Sequence, residues 1–275
     1  MGVTARIDLA ACARELKAAQ DEVRQIPTFT SRVAGFDNAT AYQVAHIIHE
    51  QRLREGDAVV GRKIGFTNRS LWKPYNVHEP IWGYVYETTV VNVPTGEATC
   101  RIARFAEPKI EPEIILHFRT APPVAGDAAA ILACVDWIAH GFEIVQSVYP
   151  GWKFKVADTI ANSAMHATLL LGTPQPVERL GPGLIGKLEQ FVVRMSCDGS
   201  LADTGKGANV LGSPLAAIAH LVGVLARQPQ YPPLGANEIV TTGSLTAALP
   251  VKPGETWRTE LDGIALPGLA VTFVA

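Results

Sequence analysis

Short segments of strand length, separated by glycine and proline, fill the chain from residue 58 onward. They read AVVGRKIGF, GYVYETTVV, IEPEIILHF, HGFEIVQSV, MHATLLLG, QFVVRMSCDG, NEIVTTG and LAVTFVA. Runs of this length that are rich in β-branched and aromatic residues and bounded by turn residues predict β-strands. The larger part of the chain is therefore expected to be a strand-dominated body.

Helical patterns lie mainly before that body. The first follows Asp8, a good N-cap, and repeats apolar residues at steps of three and four, at Leu9, Cys12, Leu16, Ala19 and Val23. A second helix is predicted from about residue 39 to 55, ending at Gly56, and two more over 126–140 and 213–228. The fold class is α+β, with a helical N-terminal region at 1–57 and a β-rich catalytic domain at 58–275.

Composition excludes several kinds of protein. Of the 275 residues 48% are apolar, and the formal net charge of -2 gives no electrostatic case for binding nucleic acid. The N-terminal residues contain no continuous apolar stretch, which predicts that there is no signal peptide or membrane anchor, and no run reaches the roughly 20 apolar residues of a membrane span. The scattered cysteines predict reduced thiols in a cytoplasmic protein, without disulfides or structural zinc.

Two carboxylates interrupt the strand IEPEIILHF on one side. Successive side chains of a strand alternate faces, so Glu111 and Glu113 project together about 7 Å apart at the backbone. A third acid, Glu143, stands among apolar residues in HGFEIVQSV. Three carboxylates form an oxygen-only ligand set suited to Mg²⁺ or Mn²⁺. The alternative is a solvated sheet face, or pairing with Arg104, Lys109 or Lys153, and spacing alone leaves both open.

Three other stretches carry polar groups suited to binding an acid. Lys63 lies between Gly61 and Gly65 on one strand face, which predicts an open slot for a ligand, although a surface lysine fits the same pattern. Lys153 follows Glu143 by ten residues. The TTGS loop, with Thr242 and Ser244, offers hydroxyls and backbone N–H groups for a carboxylate or oxyanion, or forms an ordinary turn.

Six motifs in order give the chain a family resemblance from about residue 58 to the end. They are GRKIGFT, VHEPIWGYVY, IEPEI, FEIVQSVYPGWKFKVADTIAN, VLGSPLAAIAHLV and VTTGSLTAALPVKPGETW. Together they resemble the fumarylacetoacetate hydrolase superfamily. The most similar branch is that of the 2-hydroxypentadienoate (2-keto-4-pentenoate) hydratases and 4-oxalocrotonate decarboxylases of aromatic catabolism.

The resemblance implies a mixed β-roll body, a homo-oligomer, and Mg²⁺ or Mn²⁺ held by Glu111, Glu113 and Glu143. The metal would bind a small 2-oxo acid and stabilise its enolate. Lys63 matches the active-site lysine of the family. Lys153, Thr242 and Ser244 are expected to bind the carboxylate end of the substrate.

The sequence departs from the hydratase pattern at two positions. Hydratases of this branch carry an acid at the position of Ile81, which is thought to handle protons during water addition, and isoleucine cannot do so. They carry a serine at the position of Met165. Decarboxylase-type members tolerate an apolar residue at the Ile81 position. His78 and Glu79 resemble the dyad of the superfamily's C–C hydrolases, with a different spacing, and are candidates for a substitute base.

The preferred hypothesis is a metal-dependent lyase that hydrates a small 2-hydroxydienoate in aromatic catabolism. Decarboxylation of a 2-oxo diacid comes second, and C–C hydrolysis of an acylpyruvate third. All three share the enolate, so the metal site alone does not choose between them. An alternative of another class is a non-catalytic subunit that binds a partner enzyme of the same pathway.

Overall fold

The computed structural model describes residues 7–275. The predicted absence of a signal peptide falls partly on residues 1–6, which lie outside this range. The α-helices are α1 Leu9–Asp21, α2 Phe29–Arg32, α3 Asn38–Arg54, α4 Trp72–Tyr75, α5 Ala128–Leu132, α6 Val156–Ala161, α7 Leu184–Gln190 and α8 Pro214–Ala226. The strands are β1 Val59–Gly65, β2 Ile81–Tyr86, β3 Val90–Asn92, β4 Glu97–Arg101, β5 Lys109–Phe118, β6 Val135–Val145, β7 His166–Leu171, β8 Gln175–Pro176, β9 Val192–Cys197, β10 Ser200–Lys206, β11 Ile239–Thr241, β12 Leu249–Pro250, β13 Thr256–Asp262 and β14 Ala270–Val274.

The strands form two sheets, and the larger one is rolled. Its order is β2-β1-β11-β5-β6-β7-β3, with β8 and β12 on the side, while the five-stranded sheet runs β10-β9-β13-β14-β4. β2 and β3 lie at opposite ends of the larger sheet, yet only Glu87–Thr89 connect them. Four residue steps span at most about 14 Å, whereas a flat sheet would separate these strands by about 29 Å. The sheet therefore curls, which confirms the predicted β-roll and the α+β class.

Strand register brings the acidic residues together. β5 pairs antiparallel with β6, so that Glu111 lies opposite Glu143. On the other side, β11 joins β5 to β1, and Lys63 lies opposite Thr241. Because side chains two residues apart share a face, the carboxylates and Lys63 all point into the roll.

Apolar side chains fill the roll beyond the carboxylates. This cluster contains buried residues from five strands of the larger sheet, namely Val85, Ile115, Ala139, Leu169 and Ile239. Each of these residues lies an even number of positions along its strand from a carboxylate, from Lys63, or from the residue paired with one of them. Because side chains alternate along a strand, each therefore points into the roll, as the carboxylates do. The apolar packing closes the roll on one side of the carboxylates and leaves them at the floor of a cavity.

The N-terminal helices share a core with the β-rich body. One apolar cluster contains Leu16 and Ile48 from the helices together with Ile64 and Trp82 from the sheet. Buried hydrogen bonds add to this packing, since the Gln20 amide donates to Asn162 at 2.7 Å. Side chains before and after residue 57 thus pack against each other. The division into a helical N-terminal region at 1–57 and a catalytic domain at 58–275 stays a prediction.

The helix expected over 126–140 is mostly wrong. Only Ala128–Leu132 is helical, capped by Asp127, and the chain continues from Val135 as strand β6. The apolar residues of this stretch fit a helical period, but Trp137 and Ile138 favour strands and pair with β5. The predicted helices over 39–55 and 213–228 are confirmed as α3 and α8.

One described stretch, Gly207–Ala226, is long and apolar enough by composition to cross a membrane. This corrects the statement that no apolar run reaches that length. Its α-helical part, α8, has 13 residues, which span about 20 Å against about 30 Å for a hydrocarbon core. About half of the stretch (56%) is buried inside the protein, as in the core helix of a folded domain.

Candidate metal and substrate site

Three carboxylates meet at the floor of the roll, as the sequence predicts. One oxygen from each of Glu111, Glu113 and Glu143 lies within 4.8 Å of the others. Glu113 and Glu143 are fully buried, and Glu111 is half-buried toward the cavity. Like charges at this distance repel strongly in a buried site, so the arrangement requires protons or a cation.

Unsatisfied oxygens indicate where a cation would bind. The Gly243 N–H donates to Glu113 Oε2 at 2.8 Å, while Glu113 Oε1 has no hydrogen bond. Lys63 Nζ lies 3.0 Å from Glu143 Oε2 and forms an ion pair with it, without the geometry of a hydrogen bond. Buried carboxylate oxygens normally have partners. The oxygen-only set and its free lone pairs therefore fit a hard divalent cation.

His166 is a site residue that the sequence analysis did not identify. Its Nδ1 lies 2.6 Å from Glu143 Oε1, and its Nε2 lies 2.8 Å from the Thr89 hydroxyl. The imidazole thus fixes the orientation of one metal-ligand candidate from behind, an arrangement that commonly supports metal sites. In the sequence, the feature that could have indicated a role for His166 is its position next to Met165, where the chain departs from the hydratase pattern.

Burial and neighbouring charges give the three carboxyl groups different pKa values. Burial raises the pKa of Glu111 to about 7, with Glu143 adding to the rise and Lys63 opposing it. Burial and the two other carboxylates raise the pKa of Glu113 well above its ordinary value. Burial acts on Glu143 in the same direction, but Lys63 and His166 outweigh it and lower the pKa to about 2. A cation would therefore displace protons from Glu111 and Glu113.

Lys63 is a buried cation held by this cluster. Burial opposes its charged form, yet the three carboxylates together raise its pKa above the ordinary value. The flanking glycines do not leave an open slot, which corrects the sequence-based interpretation. A Cβ on Gly61 would lie 1.9 Å from the Ile239 carbonyl oxygen, and one on Gly65 would lie 3.0 Å from Ile81. The glycines admit close packing of β11 and Ile81 instead.

A cavity of about 410 Å³ opens above the carboxylates. Lys63, Glu111, Gly243 and Ser244 are among the residues at its polar end. Its walls are largely apolar and include Phe66, Leu71, Tyr75, Ile81, Trp152, Phe154 and Met165. A few convergent polar groups in an apolar cleft are typical of a site for a small molecule.

A left-handed turn shapes one wall of this cavity. Ser163, Ala164 and Met165 all have positive φ, of 51°, 52° and 69°. Such backbone is strained for residues other than glycine and is found preferentially at functional sites. Gly83 allows the turn to approach β2, because a Cβ there would lie 2.7 Å from the Ser163 carbonyl oxygen. The turn places Met165 in the cavity and His166 against Glu143.

The structure does not bring every predicted residue to this site. His78 and Glu79 are exposed and line a separate cavity, and Glu79 pairs with Arg227. Lys153 is exposed, because the irregular segment turns its neighbours Trp152 and Phe154 inward instead.

In the TTGS loop, the predicted Thr242 is buried and donates its hydroxyl to the Ile114 carbonyl at 3.0 Å, so it is not free to bind a ligand. Ser244 does line the cavity, as predicted, although its hydroxyl donates to the Thr246 carbonyl. The loop's main contribution is the Gly243 N–H on Glu113. A Cβ at Gly243, where φ is 101°, would lie 1.9 Å from the Thr67 hydroxyl oxygen.

Comparison with known proteins found close relatives, while no family model matches the chain. The 4-oxalocrotonate decarboxylase of Pseudomonas sp. (strain CF600) is 30% identical over 263 residues, covering 94% of this chain and 95% of that protein. The 2-keto-4-pentenoate hydratase 1 of Dechloromonas aromatica (strain RCB) is 31% identical over 255 residues, covering 92% and 93%.

The chain belongs to the family of 2-keto-4-pentenoate hydratases and 4-oxalocrotonate decarboxylases. The resemblance inferred from the six motifs is thereby confirmed.

Solved structures agree with this family. The 4-oxalocrotonate decarboxylase from Pseudomonas putida G7, complexed with magnesium and adipate, has a TM-score of 0.87 at 26% identity, covering 97% of each chain. Fumarylpyruvate hydrolase from Pseudomonas aeruginosa, in complex with Mn²⁺ and pyruvate, has a TM-score of 0.55 at 16% identity, covering 78% of this chain and 88% of that one. The latter likeness shows the shared fold alone.

In this member of the hydratase and decarboxylase family, Ile81 and Met165 both line the cavity above the carboxylates. Ile81 is 4% exposed, and its side chain lies against Gly65. The two departures noted in the sequence therefore lie where they can affect the reaction. Neither is a surface change.

The raised pKa of Glu111 predicts an unusual pH dependence of the stability of the metal-free protein. Its folded pKa of about 7 exceeds the ordinary 4.5, so between these values the folded state binds more protons than the unfolded state. Stability should then fall as pH rises from 5 to 8, on the order of 3 kcal/mol from this group. Glu143 titrates below this window and does not oppose the trend.

Thermal unfolding at several pH values, in EDTA and in excess Mg²⁺, checks this prediction. The metal should raise the Tm more at pH 8 than at pH 5, because it replaces the protons. Glu111→Gln should make the metal-free profile shallower, while Glu113, whose pKa is also raised, keeps part of the slope. A Tm that is constant from pH 5 to 8 in EDTA would contradict the assigned electrostatics.

Proposed function

We propose that this chain is a divalent-metal-dependent lyase acting on a small 2-oxo or 2-hydroxydienoate acid. Glu111, Glu113 and Glu143 would hold Mg²⁺ or Mn²⁺. The observation that carries the proposal is the buried carboxylate cluster, with unsatisfied oxygens, at the floor of a largely apolar cavity beside Lys63. When bound, the cation supplies Lewis-acid stabilisation of the negative charge that develops on the 2-oxo group.

Lys63 is the proton-handling residue of this proposal. It is buried at the cavity floor, and the carboxylates keep it protonated. An ammonium group in this position can bind the substrate and donate a proton to an enolate carbon. The apolar walls exclude water from the same space and so strengthen these charge interactions.

The residues around the cavity favour decarboxylation over hydration. In the described part of the chain, the titratable side chains that line it are Lys63, Tyr75, Lys109 and Glu111. Glu111 belongs to the metal cluster, so no separate carboxylate or histidine is present to activate water. Ile81 instead offers an apolar surface, and loss of CO₂ from a 2-oxo diacid needs no activated water. Adipate, a dicarboxylate, is the ligand of the homologous decarboxylase structure, which supports a diacid substrate.

Hydration of a 2-hydroxydienoate is the second candidate. Several relatives are named hydratases, at 29–31% identity to this chain. The metal cluster and Lys63 serve either reaction, because both proceed through the same kind of enolate. The distinction depends on whether water can be positioned near Ile81.

A substrate panel tests the proposed function. The purified protein with Mg²⁺ or Mn²⁺ is given 2-oxo diacids, 2-hydroxydienoates and acylpyruvates, and CO₂ release, dienol loss and pyruvate release are followed separately. We expect CO₂ release from the 2-oxo diacids that disappears in EDTA and returns with metal. Dienol loss without CO₂ release would assign hydration, and metal-independent turnover would overturn the proposal.

Ile81→Asp is expected to introduce hydration activity. The new carboxylate would lie in the cavity, where it can bind a water molecule and exchange its proton, which typically contributes ~10²-fold or more. Ile81→Asn has a similar size without the acid and serves as the control. The ratio of dienol loss to CO₂ release measures the effect, and an equal ratio in wild type and both variants would sink the argument from Ile81.

We further propose that the protein acts in the cytoplasm as a homo-oligomer, on its own or with a partner enzyme of the same pathway. The scattered free cysteines agree with a reducing compartment. Light scattering of the purified protein gives the oligomer size. Substrate turnover measured before and after a pathway partner is added separates an independent enzyme from a subunit that needs its partner.

A further inference from the structure

Lys109 is a second cation in the substrate cavity. It begins strand β5, two residues before Glu111, and therefore projects from the same face as the carboxylate cluster. Its side chain lines the cavity, where Nζ lies 4.1 Å from the centre of the Trp152 ring. The lysine is thus fixed at the cavity wall by a cation–π contact.

Lys109 differs from Lys63 in having no anionic partner. Lys63 Nζ lies 3.0 Å from Glu143. Across residues 7–275, no carboxylate oxygen comes within the 4.0 Å ion-pair distance of Lys109 Nζ, and this nitrogen makes no hydrogen bond. A half-buried ammonium without a carboxylate in contact carries a desolvation cost, which Glu111 and Glu107 offset only from beyond ion-pair distance and which a bound anionic ligand would offset further.

The carboxylate cluster at the cavity floor and Lys109 at the cavity wall offer two separate binding groups in one cavity. Along β5, Lys109 lies one strand repeat, about 7 Å, from Glu111 and two repeats from Glu113. A 2-oxo acid bound with its oxo end at the carboxylate cluster extends along the cavity away from the buried floor. Trp152 and Phe154, which carry no charge, line the wall there.

We propose that Lys109 binds the distal carboxylate of the substrate and selects 2-oxo diacids over monoacids. This inference rests on the proposed function and specifies its substrate class. A purely structural role, in which Lys109 only packs on Trp152, predicts no such selectivity. Lys153, the lysine that the sequence favoured for this purpose, is exposed and outside the cavity.

Binding of two unreactive acids tests the proposal on the Mn²⁺-loaded enzyme. Adipate carries two carboxylates and hexanoate carries one on the same six-carbon chain. Their dissociation constants are measured by calorimetry for wild type, Lys109→Met and Lys109→Arg. Lys155→Met, which alters an exposed lysine outside the cavity, is the matched control.

Wild type should bind adipate more tightly than hexanoate. Lys109→Met should weaken adipate binding by about 30-fold or more and change hexanoate binding less than about threefold. Lys109→Arg should keep the preference for adipate, because it keeps the charge. With a 2-oxo diacid as substrate, Lys109→Met should raise KM far more than it lowers kcat.

The affinity for Mn²⁺, measured on each variant, separates the two ways of failing. If wild type binds neither Mn²⁺ nor either acid, the proposed function itself is wrong. If Mn²⁺ and adipate bind but Lys109→Met leaves the ratio of the two acid affinities unchanged, the role of Lys109 is wrong. An equal loss for adipate and hexanoate, with normal Mn²⁺ binding, also refutes it and indicates a packing role.

Discussion

Replacing Glu113 by glutamine is expected to reduce turnover by about 10³-fold and to abolish high-affinity Mn²⁺ binding. Glu113 is fully buried, and its Oε1 has no other partner in the described structure. The amide removes one negative charge from the cluster and turns one oxygen into a donor group facing the cation. Stabilisation of transition-state charge by a metal is worth several kcal/mol, and about 4 kcal/mol corresponds to this loss.

Two measurements are needed, since turnover alone would also fall if the variant misfolded. Mn²⁺ affinity can be followed by the paramagnetic resonance of the free ion, and the Tm in EDTA reports folding. Metal-free Glu113→Gln should remain folded, because the raised pKa of Glu113 already favours a neutral group. Glu178→Gln, at an exposed site, is the control. Unchanged Mn²⁺ affinity in the Glu113 variant would exclude the assigned metal site.

Lys63→Met is expected to cause the second largest loss of turnover, but without the loss of Mn²⁺ binding expected for Glu113→Gln. Turnover should fall by ~10²–10⁴-fold if this ammonium binds the substrate and transfers a proton. Mn²⁺ affinity should be retained or increase, because a positive charge 3.0 Å from Glu143 competes with the cation. The two variants thus separate a metal ligand from a proton donor.

Stability provides a further check on Lys63. Removing one partner of a buried ion pair typically costs about 3–5 kcal/mol, so the metal-free variant should have a lower Tm. Added Mn²⁺ should recover much of that loss, since it supplies positive charge to the same carboxylates. Turnover within tenfold of wild type, in a variant that is folded and metal-loaded, would refute the catalytic role of Lys63.

Local patterns were sufficient to predict much of the fold. Asp8 caps α1 as predicted, and α8 begins after Ser213 within the predicted range 213–228, since capping depends on residues a few positions apart. The helix expected over 126–140 failed because its apolar residues satisfy a helical period, while β6 is selected by pairing with β5 over a long stretch. Strands β4, β10 and β13 were also missed. Strand β10 is mostly exposed and gives no apolar alternation, whereas β4 and β13 do alternate buried and exposed positions but carry only two apolar residues each.

The candidate site was predictable only where its residues lie close in sequence. Glu111 and Glu113 share a face of one strand by simple alternation, and Glu143 stood out as an acid among apolar neighbours. His166 and Lys109 were not identified as site residues, because their roles come from contacts with Glu143 and Trp152. Those contacts depend on strand register and on a left-handed turn.

The sequence by itself determined the family, the acidic cluster and the identity of its buried lysine. Alternation along a strand and the order of motifs are properties of the chain that no tertiary contact can alter. The tertiary structure alone decided which other residues reach the cavity. It excluded His78, Glu79 and Lys153, and it placed Lys109 in the cavity against the ring of Trp152. The reason is that rolling the sheet sets distances between strands far apart in sequence, and local propensity carries no information about them.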